Sequence, residues 1–421
     1  MTTPDPKRSR RGLLIGAGAA GAVALGAAAL KPRDRGGAHN AYFQQLSRAL
    51  AAAGIAHPTL VVDRARLLAN ADAAATTLAT SRLPLRLVVK SLPSFGLLDP
   101  LAARLNTNRY MVFNGAMLRQ MLAERPNSDL LLGKPLPIRE AAAFIGANGA
   151  GPQWLIDTPD RLRAYIETAR ARSAPIKVNF EIDVGLHRGG FASADALRAG
   201  VEIAKTEPLV RVAGLMGYDP HIAKVPDPDG AFRSAQAFYR DAIGVLTSTL
   251  GVETASLTLN TAGSPTYKLH AAGTVANEVS VGSAFVKPVD FDIPTLAHHQ
   301  PDSFIATPVI KAQDRTQLPG LESLEGALSV WDPNTQRSFF IYGGHWMARP
   351  ESPPGLQYNA IFGRSSNQEM LNGSQHVALG VDDYVFFRPL QSEAVFLQFG
   401  PIALYDNGAI IGMADTFPVS A

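Results

Sequence analysis

Between Leu85 and Phe285, eight short apolar runs alternate with stretches of helical periodicity, and no other feature narrows the possible folds so far. The runs are Leu85 to Lys90, Tyr110 to Asn114, Asp129 to Gly133, Gln153 to Asp157, Ile176 to Asp183, Val210 to Tyr218, Ser256 to Asn260 and Asn277 to Phe285. Helical patterns such as Pro159 to Arg172, Ala194 to Thr206 and Phe232 to Leu250 lie between them. Parallel strands need a cover on both faces, and crossover helices supply it. Eight such units predict a (β/α)8 TIM-type barrel. Thr59 to Asp63 reads as a further strand, after a helix over His39 to Ala53 and before another over Arg64 to Thr80. It is left over from the eight and is assigned to the other domain.

From about residue 298 the texture changes to short strand-like runs between Pro, Gly, Asn and Asp turns. These are Phe304 to Lys311, Leu324 to Trp331, Ser338 to Tyr342, His376 to Val377, Tyr384 to Pro389, Val395 to Phe399 and Ile402 to Met413. The expected division is a leader and linker at 1–37, the barrel at 38–297 and a β-rich C-terminal domain at 298–421.

The leader carries Arg10-Arg11 directly before an uncharged Ala, Gly and Leu segment from Leu13 to Leu30. This pattern reads as a twin-arginine export signal, with Ala27-Ala28-Ala29 offering small residues for cleavage. The segment has the length of a membrane span but is weakly hydrophobic, so no membrane association is expected once the signal is removed, and the expected location is the periplasm. A chain without cysteine suits that compartment. Much of the basic residue excess behind the net charge of +3 sits in the leader, and no basic footprint for nucleic acid remains beyond it.

In a barrel of this kind, polar residues at the C-terminal ends of the strands face the active site. Lys90 ends the first run, where burial would lower its affinity for a proton and make its amine a nucleophile for a carbonyl compound. Arg188 lies among glycines after a carboxylate-rich fifth run, and Tyr218, followed by His221, ends the sixth. Asn260 to Tyr267 contains Gly263, Ser264 and Thr266, a turn whose N–H groups and hydroxyls could cradle a phosphate or simply cap a helix. His187 and His221 could carry protons near the site or only hydrogen bond. His298-His299 reads as a solvated loop and Gly343-Gly344-His345 as a packed turn.

In this order and spacing, Lys90, the segment Glu181 to Gly190, the segment Gly214 to His221, the turn Asn260 to Tyr267 and the segment Asn277 to Phe285 resemble the alanine racemase-like, fold type III, pyridoxal phosphate enzymes. The D-threonine aldolase and D-serine dehydratase branch, whose second domain is also β-rich, is the closer resemblance. It implies pyridoxal 5'-phosphate as cofactor, Lys90 as the Schiff-base lysine and Arg188 as partner of the cofactor's phenolic oxygen. Tyr218 would lie against the ring, with Gly263, Ser264 and Thr266 holding the phosphate and Gly282 and Ser283 completing the cup. Lys90, Tyr218 and His221 are the expected catalytic groups. The resemblance also implies an amino-acid substrate and a homodimer. Where the branch carries a metal-binding pair, this chain has Gln391 and Glu393, poor ligands as a set, which argues against a divalent metal.

The expected function is therefore an exported pyridoxal phosphate-dependent lyase that cleaves or dehydrates D-β-hydroxy amino acids. A metal-independent periplasmic amino-acid racemase is the alternative. A cofactor-binding protein without activity is a third reading, which the retention of Lys90 with the whole phosphate turn opposes.

Overall fold

The structure is a computed structural model that describes residues 31–147, 151–317, 320 and 331–419. The expected export signal lies outside the described residues, as does the strand expected over 324–331 except for Trp331, which is not in a strand. No helix among the described residues is long and apolar enough to cross a membrane. The chain forms two compact units. Of the described residues, one contains those within Arg48–Ala306, Trp346–Arg349 and from Phe387 onward; the other contains those up to Ser47 and within Thr307–His345 and Pro350–Phe386.

In the first unit all eight expected barrel strands are present. With Thr59–Asp63 as β1, they are β2 (Leu85–Val88), β3 (Arg109–Val112), β4 (Asp129–Leu132), β5 (Gln153–Ile156), β6 (Ile176–Glu181), β7 (Val210–Gly217), β8 (Thr258–Thr261) and β9 (Glu278–Val281). They close into a parallel barrel in sequence order, the last pairing with the first at Leu87↔Val281. The crossover helices follow their sequence signals. Pro159–Arg172 is capped by Thr158, whose side chain accepts from the Arg161 N–H, and it ends at Ser173 in the left-handed region. It buries Leu162, Tyr165, Ile166 and Ala169, one stripe at helical spacing.

β1 is not a barrel strand. It pairs antiparallel with Ser303–Ala306 and parallel with Ile402–Asp406, which in turn pairs antiparallel with Ala409–Ala414. In the second unit, Val309–Gln313 pairs with Arg337–Tyr342, that strand with Gln368–Gly373, and the latter with Gln357–Tyr358, all antiparallel. Phe339, Ile341 and Leu371 form its buried face. Two expected strands are absent: His376–Val377 and Val395–Phe399 run through turns. In the latter, the N–H groups of Val395 and Phe396 both reach the Ser392 carbonyl, so a local turn satisfies what a strand would have paired.

The barrel interior departs from the usual branched apolar filling. Arg86 on β2 is fully buried; it donates to Glu278 on β9 at 2.7 and 3.1 Å and to Asp129 on β4 at 3.0 Å. Reaching past β3 in this way requires a side chain that points inward. Asn260 donates to Glu278 at 2.7 Å and to Ser280 at 2.8 Å, extending the layer upward. Gln153 donates to Asp129 at 2.9 Å and accepts from Asn179.

Asp302 is fully buried beside β1, and both of its carboxyl oxygens lack a hydrogen-bond partner. Burial, and then the charge of Asp63, push its acidity well above the ordinary carboxylate range. The raised group is favoured when protonated, so its contribution to stability is present below the unfolded value of about 3.9 and is lost as pH rises toward the folded value. Asp302→Asn, neutral at every pH, is expected to gain stability relative to wild type as pH rises from 4 to 7. Urea unfolding at pH 7 and pH 4 checks this, the gain shrinking at the lower pH.

Candidate active site

The chain leaves β2 directly into a 3-10 turn, Val89–Ser91, so Lys90 stands just beyond the strand end and not within a buried strand. Its side chain is 35% exposed, which corrects the expectation that burial activates it. Instead its ammonium lies 3.4 Å from Glu393 Oε1 and 4.7 Å from the centre of the Phe113 ring. The helix Phe95–Leu105, capped by Ser94, fixes the far side of the turn.

Lys90 opens into a cavity of about 570 Å³, its open mouth included, at the C-terminal ends of the barrel strands. Arg188, Tyr218, Gly263, Ser264, Gly282, Ser283 and Glu393 also line it. Asn260 and Ser280, the upper edge of the polar interior, form part of its wall.

Three turns are stitched together around this cavity. Ser264 Oγ, after β8, accepts from the N–H groups of Gly282 at 3.3 Å and Ala284 at 2.9 Å, after β9. Ser283 Oγ meets Ser91 Oγ at 3.0 Å, after β2. Because Ser264 Oγ already accepts twice, its own proton is left to donate into the cavity. Two glycines are required by close approach. A Cβ on Gly282 would stand 2.7 Å from Val88 Cβ, and one on Gly263 would stand 2.6 Å from Cε2 of Tyr218. Just before Gly263, Ala262 holds a left-handed backbone, φ +67°, which a residue with a side chain adopts at a cost.

Arg188 lies with its guanidinium carbon 4.8 Å above the Tyr218 ring. Burial pushes the Tyr218 phenol up more than the Arg188 charge lowers it, so the hydroxyl keeps its proton. Burial likewise raises the Glu181 carboxyl against the pull of Arg188.

Four of the residues named from sequence lie elsewhere than at the cavity wall. Thr266 donates to Asp219 Oδ1 at 2.6 Å and accepts from the Gly263 N–H at 3.2 Å, so it braces the turn from behind. His270 completes that brace, its Nε2 2.7 Å from Asp219 Oδ2. His221 sits in the turn Pro220–Lys224 with a buried Nδ1 that lacks a partner. Gln391 donates to Asp290 at 2.9 Å, whereas Glu393 turns to Lys90, so the two have different partners. His187 is exposed and paired with Asp183. Among the described residues no three His, Cys, Asp or Glu side chains gather as a metal site.

His299 is not solvated, as a loop would have it. It is buried against Tyr267, whose hydroxyl lies 2.7 Å from both His298 Nε2 and His299 Nε2; burial, with the charges of His298 and Lys287, lowers its imidazole to about 3.

The family described as alanine racemase, N-terminal domain, matches residues 62–288, more than half of the chain and the whole barrel. The chain belongs to this family. Its fold is that of pyridoxal phosphate-dependent enzymes of fold type III. The structure is similar to D-threonine aldolase from Filomicrobium marinum, with a TM-score of 0.70 and 18% identity over 85% of this chain and 94% of that one. D-threo-3-hydroxyaspartate dehydratase from Delftia sp. HT23 gives 0.65 and 15% over 86% and 97%. Alanine racemase from Clostridium difficile 630 gives 0.66 and 12% over 85% and 98%. No curated protein matches. The cavity fits the family's cofactor: an accessible amine, a spare hydroxyl proton on Ser264, two glycines that let backbone close in, and Arg188 as a second cation.

Gly263→Ala tests the cradle without touching a charged group. The added methyl displaces the Tyr218 ring, an overpacking cost of about 1–3 kcal/mol. Pyridoxal phosphate affinity is expected to fall by about 10- to 100-fold in an absorbance titration, and the unfolding midpoint to fall with the overpacking cost.

Proposed function

We propose that this chain is a pyridoxal phosphate-dependent lyase acting on D-β-hydroxy amino acids, exported to the periplasm by the twin-arginine pattern of its leader. The observation that carries the reading is the placement of Lys90 in the cavity at the barrel mouth, faced by Ser264, Ser283, Gly263 and Gly282, in a chain of this family. Lys90 would hold the cofactor covalently, the Ser264 and Ser283 turns would take its phosphate, and Arg188 and the protonated Tyr218 would face its ring. When bound, pyridoxal phosphate draws electron density from the α-carbon of an amino acid and so weakens the bonds to it.

Lys90, once released by the incoming substrate, is the proton carrier on one face of the α-carbon. A racemase needs a second such group on the opposite face, and two groups that each reach a shared carbon stand roughly 6 Å apart, twice a contact of about 3 Å. Lys90 and Glu393 are 3.4 Å apart and therefore serve one side, which leaves Tyr218 as the group a racemase would use. The similarity to D-threonine aldolase favours the lyase.

The test is incubation of the purified protein, supplied with pyridoxal phosphate, with D-threonine, D-serine and L-alanine. Release of an aldehyde or keto acid is expected. Racemised alanine alone would overturn the lyase reading, and a protein that takes up no cofactor would overturn both readings.

A further inference from the structure

Glu393 is the one carboxylate among the described residues lining the cavity, and two contacts fix it there. Oε1 faces the Lys90 ammonium at 3.4 Å, and Oε2 accepts from the Ser392 hydroxyl at 3.1 Å, with Ser392 fully buried in the turn that also receives the Val395 and Phe396 N–H groups. The carboxylate is thus held by a rigid turn yet 32% exposed to the cavity, open to a substrate. An ion pair so exposed contributes little to stability, which leaves the position free for chemistry.

We infer that Glu393 is a catalytic base for the substrate's β-hydroxyl, an assignment that rests on the lyase reading. As a carboxylate it accepts the β-hydroxyl proton while the Cα–Cβ bond breaks. The bonding pair stays on Cα, and the hydroxyl oxygen and β-carbon leave as the carbonyl of an aldehyde. Lys90, as the ammonium, delivers a proton to Cα to give glycine, and Glu393 then returns the hydroxyl proton to the Lys90 amine. One proton leaves oxygen and one arrives at carbon, so both side chains return to their starting states and no co-reactant is consumed. The 3.4 Å spacing supports this hand-off.

The experiment compares wild type, Glu393→Gln and Glu393→Asp, each loaded with pyridoxal phosphate, by three readouts. Aldehyde release from D-threonine is expected to fall about 100-fold or more in Glu393→Gln and to be partly restored in Glu393→Asp. Exchange of the glycine α-proton in deuterium oxide, which involves no β-hydroxyl, is expected to fall far less than aldehyde release. In cofactor-free protein, labelling of Lys90 by an amine-reactive reagent is expected to speed up in Glu393→Gln, because the ion pair no longer holds the ammonium. Aldehyde release within about threefold of wild type overturns the assignment, as does a parallel loss of glycine exchange, which marks a general positioning role. If wild type releases no aldehyde, the lyase reading fails and the assignment with it, whereas failure of Glu393→Gln alone to lose activity leaves the lyase standing.

Discussion

Lys90→Ala is expected to abolish the absorbance band near the visible edge that the cofactor-loaded protein shows, and to lower turnover by at least about 10⁴-fold. The size follows from the loss of two functions at once, covalent attachment and proton transfer, the second alone contributing about 10²- to 10⁴-fold. The fold is expected to survive. The side chain is 35% exposed, its ion pair with Glu393 is partly solvated, and neither group is enclosed by the core. Such a pair contributes about 0–1 kcal/mol, so the unfolding midpoint moves little. Lys90→Arg keeps the charge and the Glu393 contact but cannot form the covalent link, and it is expected to be as inactive as the alanine variant. A colourless but stable protein in both variants separates cofactor attachment from electrostatics. Activity retained in either would remove Lys90 from the centre of the chemistry.

The barrel was legible because each strand carries its own signal. All eight appear where apolar runs stand between helical patterns, and Pro159–Arg172 has the expected bounds because its cap, first-turn proline and apolar stripe agree. The cup was legible in its parts and not in its assembly. Ser91 and Ser283 are separated by 192 positions and meet only because closure sets β2 beside β9. Thr266 carries the same hydroxyl as its neighbour Ser264, yet its proton goes to Asp219, a residue whose position behind the turn no local pattern reveals. Glu393 entered as a weak metal candidate because the sequence shows a residue type and not its neighbour. The sequence reading ends the first strand on Lys90 and the structure ends it at Val88, and whether a side chain there is buried depends on what packs over it.

Arg86 was missed although its signal was present: a charged residue inside Leu85-Arg86-Leu87-Val88 has to find a partner. Arg86→Met is expected to produce the largest loss of stability among substitutions outside the cavity. Burial opposes the charge of Arg86, and Glu278 and Asp129 more than offset that, so the guanidinium stays charged with no exposure to water. Removing it strands Glu278, itself fully buried, with Arg109 at 2.6 Å and the Asn260 amide as its remaining donors. Glu278 thus loses one of its two cationic partners, and the expected cost lies below the roughly 3–5 kcal/mol of a buried charge left with none, to be read from urea unfolding. The double variant Arg86→Met, Glu278→Gln removes the stranded charge and is expected to recover part of the loss, a coupling of about 0.5–3 kcal/mol. Equal losses in the single and double variants would show that Arg86 acts by filling space and not by pairing. Asn260 and Ser280 connect this layer to the cavity wall, so the Arg86 variant is expected to bind pyridoxal phosphate more weakly even at temperatures where it remains folded. Recovery of cofactor affinity in the double variant, in step with stability, would show that the buried charges hold the floor of the site in place.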